Sequence, residues 1–109
     1  MVEETTPAEL YERIENGEDV QVVDIRPADE FAQGHIPGAE NVPFDRFAGE
    51  VDQREWGDDI VVACPLGKSS LQVARLLDSF EGVGDDVRIA NLAGGYREWE
   101  YELEEGPTS

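Results

Sequence analysis

Apolar residues recur along this chain in two spacings. Residues 20–25 and 60–63 are nearly continuous apolar runs, and residues 87–92 form a third. Runs of this length predict strands buried on both faces, as in a parallel sheet. Between them the apolar positions fall at helical spacing. Thr6-Pro7-Ala8-Glu9 reads as a capping box with proline at the first helical position, followed by Leu10 and Ile14 four apart and by Asn16-Gly17 as a stop. Pro27 opens a short helix through Gln33, and Gly34 follows it. Ile36-Pro37-Gly38-Ala39 reads as a turn, residues 40–43 as a short strand, and residues 44–51 as a short helix with Phe44 and Phe47 facing the core. Residues 70–80 predict a longer helix with Val73, Ala74, Leu76, Leu77 and Phe80 on its apolar face. Residues 81–86 read as a glycine-containing acidic loop, and Gly94-Gly95 as the lead into a last helix carrying Tyr96, Trp99 and Leu103. Residues 1–4 and 104–109 are polar and read as frayed ends. Strands alternating with helices predict an α/β fold with a largely parallel sheet. At 109 residues, with neither a repeat nor a long linker, the whole chain is expected to be one domain with its ordered core over residues 5–103.

Charge changes the picture of the surface more than that of the core. The chain holds 26 acidic and 8 basic residues, for a net charge of -18. That balance excludes non-specific binding to nucleic acid or to an anionic membrane. It predicts a surface suited to high salt, because carboxylate repulsion fades as the Debye length falls from about 8 Å at physiological salt to about 3 Å at 1 M. The cations fit this reading, being seven arginines and the single Lys68. The acidic start is unlike a secretory signal and no apolar run approaches a membrane span, so a cytoplasmic location is expected. One cysteine and one histidine leave neither a disulfide framework nor a multi-cysteine zinc site, and neither metal nor cofactor is expected.

The candidate chemistry gathers where the second strong strand ends. Cys64 follows residues 60–63, and ligands of open α/β sheets bind outside the carboxyl ends of strands. Pro65, Leu66, Gly67, Lys68 and Ser69 then turn tightly into the helix near Ser70. Such a turn aims backbone N–H groups and a helix N-terminus inward, which lowers a thiol's pKa. Gly67 permits a positive φ there, and Lys68 brings a cation to the loop for an anion such as thiosulfate. On the local pattern alone, Cys64 also fits an inert buried strand cysteine, Lys68 a solvated charge, and Ser69 and Ser70 simple helix caps.

Three ordered motifs decide between these readings. The segment VVDIRPADEFAQGHIPGAENVPF, residues 22–44, resembles the first signature of the rhodanese homology domain through Asp24, Arg26, Glu30, Phe31, Gly34, His35, Ile36, Pro37, Gly38 and Ala39. IVVACPLGKSS, residues 60–70, resembles the family's active-site segment, and LAGGYREWE, residues 92–100, its closing Gly-Gly and Trp motif. The resemblance implies a small three-layer sandwich, a mostly parallel sheet covered by helices on both faces. It implies a sulfurtransferase in which Cys64 carries sulfane sulfur as a persulfide, taken from thiosulfate or a persulfide protein and passed to cyanide or a thiol. The loop from Cys64 to Ser69 has six residues, like the sulfurtransferase branch, whereas the related dual-specificity phosphatases have seven and end on arginine. Many single-domain members carry arginine right after the cysteine and at the loop's end; Pro65 and Ser69 stand there, and Pro65 removes one N–H. Asp24, Arg26, Glu30 and His35 are expected to support the scaffold, with Arg26 pairing Glu30 and His35 holding a structural hydrogen bond. A non-catalytic sulfur-relay or regulatory binding module is the alternative.

Overall fold

The computed structural model describes residues 2–80, 83 and 86–106. Five strands, β1 (Val2–Thr5), β2 (Gln21–Asp24), β3 (Glu40–Asn41), β4 (Asp59–Ala63) and β5 (Arg88–Leu92), form one sheet in the order β1-β5-β4-β2-β3, and every pairing is parallel. Four helices cover it: α1 (Pro7–Glu15), α2 (Ala28–Gln33), α3 (Phe44–Glu50) and α4 (Ser69–Ser79). Successive strand residues face opposite sides. Val23, Ile60, Val62 and Ile89 pack with Phe47, Val73 and Leu77 of α3 and α4. Val22, Val61, Ala63 and Leu92 pack with Leu10 and Phe31 of α1 and α2. The expected α/β sandwich with helices on both faces is therefore the observed one.

The local signals act as expected at the start of α1. The Thr6 side chain accepts from the Glu9 N–H at 3.2 Å while Glu9 accepts from the Thr6 N–H at 2.9 Å. Residues 2–4, expected to fray, instead form the edge strand β1 together with Thr5, registered on β5 from Val2↔Ile89 to Thr5↔Leu92. An edge strand needs only backbone partners and one covered face, which polar residues satisfy. Phe44 and Leu76 do not face the core: they are 48% and 42% exposed, while Phe47 and Leu77 are buried. Leu76 precedes Leu77 by one residue, about 100° around the helix, and so points off the apolar stripe.

The last helix is shorter than its pattern predicts. Gly95–Glu98 makes one 3-10 turn, after which Trp99 is extended. Trp99 is nonetheless buried, packed edge-on to Tyr11 and Tyr101. The following chain is tied down rather than frayed: Glu104 exchanges backbone bonds with His35 at 2.8 and 2.9 Å, and the Gly106 N–H reaches the Ala32 carbonyl at 2.8 Å. Leu103 is largely exposed. Most of the acidic loop expected over residues 81–86, and residues 107–109, lie outside the described residues.

Candidate active site

β4 runs through the middle of the sheet, so its carboxyl end opens between the ends of β2 and β5. Cys64 is the next residue, and its side chain lies on the face that α4 covers. The chain turns through residues 65–68 and enters α4 at Ser69. Gly67 makes the turn at a φ of 82°, in the left-handed region that favours glycine.

The loop's peptides are held so that donors face the sulfur. The Gly67 N–H donates to Cys64 Sγ at 3.0 Å and the Ser70 N–H at 3.3 Å, and Ser70 Oγ lies 3.1 Å from Sγ. The carbonyls are drawn the other way. Cys64 O accepts from the Tyr96 N–H at 2.9 Å, Pro65 O from the Arg97 N–H at 3.0 Å, and Gly67 O from Asn91 Nδ2 at 3.0 Å. Gly94-Gly95 is thus a wedge beneath the loop. A Cβ on Gly95 would come within 2.1 Å of Cys64 O and 2.7 Å of Gly67 N. Burial pushes the Cys64 thiol up, but hydrogen bonds from the Ser70 hydroxyl and N–H and from the Leu66 and Gly67 N–H groups outweigh it, so the thiol lies below its ordinary value.

The other loop residues take different positions. Pro65, Leu66, Lys68 and Ser69 are exposed around the loop, with Leu66 at 51%. Lys68 stands at the N-cap of α4 without a side-chain capping bond, so neither Ser69 nor Ser70 is the cap. Ser70 is wholly buried in the first turn and directed at Cys64.

Asp24, Arg26 and Tyr96 form a second cluster at the same sheet end. Asp24 Oδ1 accepts from the Arg26 N–H at 2.9 Å, and Oδ2 accepts from Arg26 Nη2 and from the Tyr96 hydroxyl, both at 2.8 Å. Arg26 also donates to Gly34 O at 2.7 Å and lies 3.7 Å from the centre of the Tyr96 ring. The expected Arg26–Glu30 pair is replaced by this one; Glu30 is exposed and the carboxylate two residues away is nearer. His35 is buried, stacked on Phe31, with Nδ1 2.8 Å from the Phe31 carbonyl. Phe31 packs on the sheet face opposite Cys64, so His35 is remote from the thiol. Asn91 was not among the sequence candidates. Its signal was an amide inside a buried strand, a position that costs free energy unless every polar atom is paired. Among the described residues, no group of three or more His, Cys, Asp or Glu side chains gathers to hold a metal, and no helix is long and apolar enough to cross a membrane.

Known proteins resemble this chain in sequence and in fold. The rhodanese-like domain family model matches residues 6–102. A protein named sulfurtransferase from Allochromatium vinosum is 35% identical over 99 residues, covering 91% of this chain and 89% of that one. The HTH-type transcriptional regulator Rv0324 of Mycobacterium tuberculosis is 46% identical over 99 residues, but the match covers 86% of this chain and only 40% of the regulator. The crystal structure of a rhodanese-like domain protein from Staphylococcus aureus superposes with a TM-score of 0.80 at 27% identity, covering 95% of this chain and 98% of that one.

Proposed function

The chain belongs to the rhodanese-like domain family, and from that premise we propose that it is a sulfurtransferase whose Cys64 carries sulfur as a persulfide. The observation that carries this reading is the ring of donors on Cys64 Sγ, from Gly67 and Ser70, with the loop carbonyls turned away. Such a ring favours anionic sulfur in both half-reactions. In the first, the Cys64 thiolate attacks the sulfane sulfur of thiosulfate. A Cys64–sulfur bond forms, the sulfur–sulfur bond of thiosulfate breaks, and sulfite leaves with the electron pair. In the second, cyanide or a thiolate attacks the outer sulfur of the persulfide. The new bond forms there, and the electron pair of the broken bond returns to Cys64 Sγ as thiolate. Pro65, Leu66, Gly67, Lys68, Ser69 and Ser70 bound the substrate's position in this reading, with Lys68 as the loop's cation for the incoming anion. The chain acts as one domain.

The test is thiosulfate:cyanide sulfur transfer by wild type and Cys64→Ala, with intact mass after thiosulfate. Transfer lost in the variant and one sulfur added to wild type is the expected result. A folded wild type that gains no sulfur from thiosulfate and turns over nothing rejects thiosulfate as donor. The same assays run at low salt and in molar KCl test the acidic surface: activity and melting temperature rise with salt if the surface is tuned to it.

A second reading has its own support. The match to part of a transcriptional regulator puts a similar segment inside a protein of another kind, and Pro65 and Ser69 stand where many single-domain members of the family carry arginine. Persulfide formation on Cys64 without turnover by small acceptors selects a relay or regulatory module.

A further inference from the structure

Asn91 touches the active-site loop twice from below. It sits on β5, 2% exposed, paired across the sheet with Val62 two residues before Cys64. Its Nδ2 donates to Gly67 O at 3.0 Å, which fixes the amide's orientation and leaves Oδ1 facing Ser70. The Ser70 hydroxyl donates to that Oδ1 in a short hydrogen bond. The same hydroxyl oxygen lies 3.1 Å from Cys64 Sγ. A serine hydroxyl has one proton. It therefore serves Asn91 or the sulfur, not both.

The two charge states of the sulfur use that proton differently. While Cys64 is a neutral thiol, its S–H donates to Ser70 Oγ and the Ser70 proton stays on Asn91, so each group in the chain is paired. Once the sulfur is a thiolate it has no proton to give and is the stronger acceptor. The Ser70 hydroxyl then turns to Sγ, and Asn91 Oδ1 gives up its donor. We propose that Asn91 is a positioning residue that holds the Ser70 proton while Cys64 is neutral and yields it when the sulfur becomes anionic. It also keeps the Gly67 carbonyl turned away so that the N–H groups of Gly67 and Ser70 converge on the sulfur. In the second half-reaction the electron pair returns to Sγ, and this turn of the hydroxyl meets the charge as it develops. That last role rests on the sulfurtransferase reading; the proton arrangement does not.

Other charges at this end of the sheet are differently engaged. Asp24 and Arg26 pair with each other, Lys68 and Arg97 are exposed, and the groups that lower the thiol are hydrogen-bond donors of the loop and of Ser70.

The test is a double-mutant cycle read through the pH dependence of Cys64 alkylation by iodoacetamide, which needs no sulfur donor. The four proteins are wild type, Ser70→Ala, Asn91→Val and the double variant. Removing Asn91 also frees Gly67 O, but that loss is common to both proteins lacking it and cancels within the cycle. Ser70→Ala is expected to raise the alkylation midpoint in both backgrounds, and at least threefold more in thiolate fraction when Asn91 is absent, since the hydroxyl then has no competing acceptor. Equal shifts in the two backgrounds, or none, overturn the proposal. If Asn91→Val does not fold, Asn91→Ala removes the amide without bringing in another acceptor and is read in the same way. Cyanide assays on the same four proteins fail separately: a coupled thiol without sulfur transfer leaves the proton arrangement standing and removes the enzyme reading.

Discussion

Two polar clusters lie at the same end of this sheet, and they are built on opposite plans. Around Asp24 the central partner is a charge: the carboxylate takes Arg26 together with the Tyr96 hydroxyl, and Arg26 also donates to the Gly34 carbonyl. The cluster is closed, charge against charge. Around Cys64 the partners are neutral donors, and the described contacts of the sulfur include no ionised side chain. That group is arranged for a charge that comes and goes. A buried ion pair stabilises only while both members remain, whereas a ring of amide donors gains strength as its acceptor ionises. On the proposed reading, what separates scaffold from chemistry is whether the partners of the central group are charged or neutral.

The sharpest break of that contrast is Gly95→Ala. The new methyl collides with backbone atoms of the loop, at 2.1 Å from Cys64 O and 2.8 Å from Pro65 C, at a φ of 61°. Nothing flexible stands in the way that can yield. The expected cost is about 4 kcal/mol or more of stability in urea unfolding. Where the variant still folds, sulfur transfer is expected to fall at least tenfold, because the donors no longer converge. A stable variant with wild-type transfer would separate the Gly-Gly turn from the loop.

Asp24→Asn comes next. It leaves the partly buried Arg26 opposite a neutral amide, which costs about 2–3 kcal/mol. Its expected signature is lower stability with unchanged transfer per folded molecule, measured well below the unfolding transition. A fall in transfer at constant fold would make Asp24 part of the chemistry and erase the distinction between the clusters.

The sequence revealed these two clusters unequally. Cys64, its loop and the positive φ of Gly67 were legible because a strand end, a proline, a glycine and a helix start are local signals. The parallel sheet was legible from the apolar runs as a class, but the order of its strands and the edge strand were not. Val2–Thr5 is held by backbone pairing with a strand nearly ninety residues away, and its polar side chains carry no trace of that partner. The choice of Asp24 over Glu30 as the partner of Arg26 depends on how β2 ends and where the guanidinium stacks, so spacing alone favoured the wrong carboxylate. Asn91 is the instructive omission. Its neighbours in sequence are apolar, and its two partners, Gly67 and Ser70, lie 24 and 21 residues away.

Tyr96 belongs to both clusters, and Tyr96→Phe gives the smallest and most discriminating effect. Its backbone N–H holds Cys64 O, and its hydroxyl donates to Asp24 and accepts from the Ile36 N–H at 3.0 Å. Phenylalanine keeps the backbone bond and a ring beneath Arg26 but leaves the Ile36 N–H unpaired, for an expected loss of about 1–2 kcal/mol. Burial and the Asp24 charge hold the Tyr96 phenol well above its ordinary range. The native state therefore keeps this proton above a pH of about 10, where an unfolded tyrosine gives it up. Protons bound in excess by the folded state make stability fall as pH rises. The contribution of Tyr96 is complete below about pH 10 and is lost above it, so the gap between wild type and Tyr96→Phe should narrow in alkali. The alkylation profile of Cys64 should not move at all, because the bond from Tyr96 to the loop is made by the backbone. If that profile moves with the hydroxyl, the two clusters share one electrostatic system, and the closed cluster at Asp24 sets the charge on the open one at Cys64.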